Sequence, residues 1–281
     1  MPTEPDIVKL KQTAARLRAN IVRMIAAAGS GHNGGALSAI DMITYLYFHQ
    51  MRIDPQRPDW PDRDRFVLSK GHCCPALYAA LAARGYFGEE LLWTLRDVGS
   101  LLQGHPDMTK TSGVDMTTGS LGQGISAAVG IALGGKLDRK DYRVYCMVGD
   151  GELQEGQVWE AAMSAAHYRL TNLTVLVDDN GMETDGPTHT IMNVQPIAAK
   201  WQAFGWHTCE IDGHDFRQIH AAVRQCLTAD QPSAIVARTV EGKGVSFMEG
   251  DNEWHSGPTR PEQTQQALAE LELQLAQATP E

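Results

Sequence analysis

The chain is short of positive charge. Its 281 residues carry 24 lysines and arginines against 34 aspartates and glutamates, a formal net charge of -10. That balance argues against nucleic-acid or anionic-membrane partners, both of which need basic surface, though it leaves room for a local basic pocket. Long apolar runs are missing too: no stretch approaches the roughly 20 residues of a membrane span. The opening stretch, MPTEPDIVKLKQ, is polar and lacks the apolar core of a secretion signal. The five cysteines (Cys73, Cys74, Cys146, Cys209 and Cys226) are an odd-numbered set with no C-x-x-C spacing. They argue against a disulfide framework or a common structural zinc motif, and fit a reducing cytoplasm. Each is read as a small buried hydrophobe, with only the Cys73–Cys74 pair close to candidate chemistry. There are no internal repeats, no low-complexity tract and no break in composition, so residues 1–281 read as a single domain.

What is present is ordinary globular material, 43% hydrophobic and 21% charged. Ile7, Leu10, Ala14, Leu17, Ile21, Ile25 and Ala28 step by three and four, which predicts an amphipathic helix ended by Gly29. A second helix is expected from Ser38 to Gln50 with Ser38 as N-cap. FVLS reads as a short buried strand, and PALYAALAAR as a helix opened by Pro75. From Arg143 onward the strands RVYCMV, LTVLV, HTCEI and SAIVART alternate with helices expected at Gln157–Tyr168, Gln195–Phe204 and Phe216–Leu227. Such alternation predicts an α/β fold, a parallel sheet with helices on both faces. The tail EQTQQALAELELQLAQATPE reads as a polar helix with a thin apolar stripe.

In an open parallel sheet, ligands bind beyond the carboxyl ends of the strands. RVYCMV runs into Gly149-Asp150-Gly151, and LTVLV into Asp178-Asp179-Asn180-Gly181. If those strands are neighbours, Asp150 and Asn180 meet at one sheet edge. With a backbone carbonyl they form a hard oxygen set suited to Mg²⁺ or Ca²⁺ bridging a diphosphate, against the plainer reading that Asp and Asn simply terminate strands. Four of the ten histidines, His32, His72, His105 and His255, sit in turn-like, glycine-containing stretches, where they can move protons or bond oxygen-rich substrates. None has the spacing of a common zinc motif. The other six (His49, His167, His189, His207, His214 and His220) are read as structural. TTGSLGQGISAAVGIALGGKL is a glycine-rich turn entering a small-residue helix. Its helix N-terminus is expected to offer free N–H donors, the alternative being tight helix–sheet packing. It is not the G-x-G-x-x-G of a dinucleotide site, which argues against a nicotinamide dehydrogenase.

Taken together, SGHNGGALSAIDMI, DRFVLSKGHCCPALYAAL, GHPDM, TTGSLGQG, GDGELQEG, VDDNGMETDG and GKGVSFMEGDNEWH resemble the thiamine-diphosphate-binding N-terminal domain of transketolases. The resemblance covers nearly the whole chain and implies the thiamine-diphosphate-binding fold. It implies that Asp150 and Asn180 bind Mg²⁺ (or Ca²⁺ or Mn²⁺) by side chain and Met182 by its carbonyl. Gly151 and His72 would contact the diphosphate, and Gly119 and Leu121 would hold the aminopyrimidine. His32, His105 and His255 would surround the reacting carbon and bond sugar hydroxyls. Glu155 and Glu160 match acidic residues near a subunit interface. Full-length members continue into a pyrimidine-binding domain, which supplies the glutamate that activates the cofactor, and a third domain. The resemblance therefore implies the N-terminal subunit of a split transketolase, working with a C-terminal subunit in an α2β2 assembly on sugars or sugar phosphates. The rival readings are the α subunit of a 2-oxo acid dehydrogenase and a non-catalytic cofactor-binding paralogue.

Overall fold

The computed structural model describes residues 4–277. The first helix, α1 (Ile7–Ala28), starts where the carboxylate of Asp6 accepts the Lys9 N–H at 3.0 Å, and stops at Gly29. Its apolar stripe is fully buried at Leu17, Ile21, Met24 and Ile25; each such side chain stabilises the fold by about 1.5–3 kcal/mol. The second helix, α2 (Asn33–Tyr45), continues as a π-helical turn, Leu46–Gln50. It begins five residues before Ser38, so the expected N-cap is wrong. Every residue of α2 is buried, and the Ser38 hydroxyl donates to Asp178 inside the protein rather than capping a helix end.

The sheet has the order β1-β2-β3-β7-β6, built from β1 (Arg65–Leu68), β2 (Val144–Gly149), β3 (Leu173–Asp179), β6 (His207–Asp212) and β7 (Ser233–Arg238). All four pairings are parallel, and β2 and β3 are neighbours with Gly149 opposite Asp178. Alternate residues of the central strands enter different cores. Tyr145 and Met147 pack on the side of α1, α2, α3 (Cys74–Arg84) and α8 (Phe216–Thr228). Val144, Cys146 and Val148 pack on the side of α4 (Gln123–Leu137), α5 (Gly156–His167) and α7 (Ile197–Ala203). Both faces are covered, which is why these strands read as unbroken apolar runs.

Between β3 and α7 lie a two-stranded antiparallel hairpin, β4 (Met182–Glu183) with β5 (Gly186–Pro187), and the short α6 (Thr188–Ile191). These pieces are too short to leave a periodic signal. The final helix, α9 (Pro261–Gln277), lays Ala267 and Leu271 into the core beside α1, as its thin stripe predicts; the last four residues of that stretch lie outside the described residues. Among the described residues no helix is long and apolar enough to cross a membrane.

Candidate active site

The carboxyl ends of adjacent strands share one rim of the sheet, and each delivers a polar group there. After β1 come Lys70 and His72, after β2 Asp150, and after β3 Asn180. They border a cavity of about 370 Å³ whose wall also includes His32, His105, Gly119, Leu121, Gly151, Glu155, Met182 and His255. Every residue expected at the site thus lines one cavity, except Glu160, which stands exposed on α5. Asp150 is buried, and its Oδ2 accepts from the Gly181 N–H at 2.9 Å and the Thr188 hydroxyl at 3.2 Å. The Asn180 amide donates to Ser38 at 3.3 Å, while its Oδ1 accepts the Met182 N–H at 3.0 Å. The parallel register puts Asp150 and Asn180 on one wall, and the short hairpin folds Met182 beside them.

The four loop histidines converge from separate segments. The rings of His32 and His72 are 5.0 Å apart between centroids, and His255 lies 5.9 Å from the first and 5.8 Å from the second. Tyr78 of α3 holds the fourth loop by donating to the carbonyls of Gln103 and His105 at 2.9 and 3.1 Å. Burial lowers the pKa of His32 to about 4 and that of His72 well below the ordinary range, with neighbouring cationic groups adding to both; His105 moves the same way. His32 and His72 are therefore neutral at pH 7. Each offers one N–H donor and one acceptor.

Three buried charged groups absent from the sequence-derived site organise it. Lys70 forms a buried ion pair with Asp178, which also accepts from Ser38 and Thr239. Burial works against the ammonium, but the Asp178 carboxylate outweighs it and keeps Lys70 charged. Glu152 accepts from Ser69 and from the backbone N–H groups of Gly149 and Gly122. Glu241, in the loop after β7, is fully buried behind the cavity wall. It accepts from His255 Nδ1 at 2.7 Å, and its second oxygen has no protein partner. Its carboxylate occupies the space a Cβ at Gly34 would need, at 2.6 Å, so only glycine admits it there.

Two of the N–H donors expected to be free where the glycine-rich turn enters α4 are in fact occupied. Glu152 takes Gly122 N–H at 2.8 Å and Ser69 takes Ile125 N–H at 3.2 Å. A Cβ at Gly124 would lie 2.6 Å from the Ser69 Cα, so this turn serves close packing of helix on strand.

The family description "Transketolase, thiamine diphosphate binding domain" matches residues 9–278. The chain belongs to the transketolase family. It is 49% identical over 266 residues to the 6-deoxy-6-sulfo-D-fructose transketolase subunit SqwG of Clostridium sp. (strain MSTE9), covering 94% of this chain and 97% of that one. It is 39% identical to an apulose-4-phosphate transketolase subunit of Phocaeicola vulgatus, covering 95% of each. Human transketolase is 41% identical over 98% of this chain, which spans 44% of that protein's length. The crystal structure of Campylobacter jejuni transketolase superposes with a TM-score of 0.90 at 32% identity, over 96% of this chain and 43% of its own. The match falls on transketolases, against the 2-oxo acid dehydrogenase reading weighed from sequence.

The donor chemistry of this transketolase domain fits a divalent cation. Burial, reinforced by Asp179 and Asp178, pushes the Asp150 carboxyl up to about 7. A carboxylate that strained by desolvation and like charge is relieved by a hard cation. Cys73 and Cys74, the thiols nearest the cavity, are fully buried and pushed up by burial, Cys73 to about 12, which leaves them unreactive.

Proposed function

We propose that this chain is the diphosphate-binding subunit of a split transketolase, moving a two-carbon ketol unit from a ketose to an aldose. The observation that carries the reading is the convergence, in one cavity, of the Asp150–Asn180 pair with His32, His72, His105 and His255. Thiamine diphosphate, when bound, supplies the carbanion chemistry, and the chain supplies orientation and proton transfer. On this reading Asp150 and Asn180, with the Met182 carbonyl, hold Mg²⁺ or a similar divalent ion. His72, Gly151 and Asn180 bind at the diphosphate end, while Gly119, Leu121 and Glu155 line the part facing the aminopyrimidine. His32, His105 and His255 bond substrate hydroxyls and move protons between them and the cavity. Residues 1–281 act as one domain.

The partner we assign is a C-terminal transketolase subunit bearing the pyrimidine-binding domain, in an α2β2 assembly, with Glu155 and Glu160 near its interface. Both relatives matched along nearly their whole length are named as transketolase subunits, which supports a two-chain enzyme. Their names, a sulfo-fructose in one and a sugar phosphate in the other, support a ketose donor bearing an anionic group at its far end. We assign the work to the cytoplasm, on the reading of the cysteines as free thiols. The test is to assay ketol transfer by this chain alone and mixed with a C-terminal subunit, with and without EDTA. Activity is expected only from the mixture, and only with metal. Full turnover by the pure chain would overturn the split-enzyme reading, and turnover unaffected by EDTA would overturn the metal assignment.

A further inference from the structure

At the opposite rim of the sheet, where β6 begins, a second group of side chains meets. Strand alternation puts His207 and Cys209 on one side of β6, and α8 runs back across that side to bring up Cys226 from its last turns. The Cys209 Sγ lies 3.4 Å from His207 Nε2, and the three donor atoms all lie within 4.8 Å of one another. A tetrahedral zinc with Zn–S of about 2.3 Å and Zn–N of about 2.0–2.1 Å sets its ligand atoms about 3.5–3.8 Å apart. The cluster is therefore within a small side-chain adjustment of closing on an ion.

We propose that His207, Cys209 and Cys226 form a binding site for a thiophilic d¹⁰ cation, zinc above all, independent of the magnesium-type site at the other rim. Two sulfurs and an imidazole are soft donors that discriminate against Mg²⁺ and Ca²⁺. The hydrogen bond from Cys226, helped by His207, pulls the Cys209 thiol down to about 6 despite its partial burial, while that same bond, with burial, pushes the Cys226 thiol up. Cys226 is buried while His207 and Cys209 are half-buried, so solvent reaches the cluster from one side and leaves a fourth position for water. The Gln225 Oε1, 3.5 Å from Cys209 Sγ, is the alternative fourth donor. Binding displaces the proton held by Cys226, so affinity rises with pH. The ion would tie the edge strand β6 to the end of α8, two elements otherwise joined there by the strand's half-exposed face.

The test uses the full chain, reduced, in excess Mg²⁺ so that the hard site does not compete. Zinc is titrated against a chromophoric chelator, and cobalt(II) is substituted to read its thiolate-to-metal charge-transfer absorption. One tight equivalent and that absorption are expected for the wild type. Cys209→Ser and His207→Ala should each weaken zinc by at least about tenfold, since even partners outside the ligand sphere are worth that much. Cys209→Ser should also diminish the charge-transfer band. These two positions are half-buried, so folding is checked by circular dichroism without disturbing the core at Cys226. Equal zinc affinity in wild type and Cys209→Ser, or no cobalt–thiolate band, would overturn the site. So would a reduced protein that ignores zinc yet forms a Cys209–Cys226 disulfide on oxidation.

Discussion

Glu241 shows how one buried carboxylate sets the chemistry of its neighbour. An ionised carboxyl only accepts hydrogen bonds, so the 2.7 Å contact puts a proton of His255 on Nδ1 and turns Nε2 to the ring's other side. In Glu241→Gln the amide can turn and donate instead, which favours the opposite tautomer. Turnover should fall by about 100-fold, the lower end of what a positioned acid–base group is worth, with little change in substrate KM. Imidazole ¹⁵N shifts should show Nδ1 losing its proton; unchanged shifts and unchanged kcat would remove Glu241 from the mechanism. His32 carries a separate consequence. Its folded pKa of about 4 lies below the ordinary 6.5. Between those values the unfolded chain takes up a proton that the native protein refuses, so stability falls as pH falls from about 6.5 to about 4. His32→Asn should flatten that part of a plot of urea midpoint against pH. A slope as steep as the wild type's would mean that His32 is solvated. The loop histidines were legible because glycine-rich turns are poor places for core side chains. Glu241 was not, because one acid in EGKG looks like any solvated charge until Gly34 is found to make room for it.

At the scale of elements, the strand ends carry the cost of the site. Lys70 follows β1 and Asp178 sits near the end of β3, and both are almost wholly buried. Removing one member of such a pair leaves the other charge unpaired in low dielectric, a loss of about 3–5 kcal/mol. Lys70→Met should show that loss in urea unfolding, and Lys70→Met combined with Asp178→Asn should recover part of it. A single variant as stable as wild type would mean that Asp178 finds its compensation in Ser38 and Thr239 alone. Four of the five strands were readable because burial on both faces leaves an apolar run bounded by turns, while the half-exposed edge strand β6 was placed by the strand–helix alternation around it. The start of α2 was not, because two glycines in its first turn argue locally against helix. There the packing of α2 against Glu241 and Cys73 overrides propensity.

At the scale of the molecule, the order β1-β2-β3-β7-β6 decides which residues can meet. Sequence spacing proposed that Asp150 and Asn180 share an edge; only the sheet order shows that β7 lies next to β3 and so brings Glu241 and the His255 loop to the same rim. The buried acids and the lysine between them depend on that long-range pairing, which no local window of residues reveals. The same order has a consequence for synthesis. His32 and His255 are separated by most of the polypeptide, and β7 must insert between β3 and β6 before their loops can face one another. On a ribosome the cavity therefore cannot exist until its last strand and the loop after it have emerged. Cofactor capture then comes after the rest of this domain's sheet has been made, and cannot serve as a template for it.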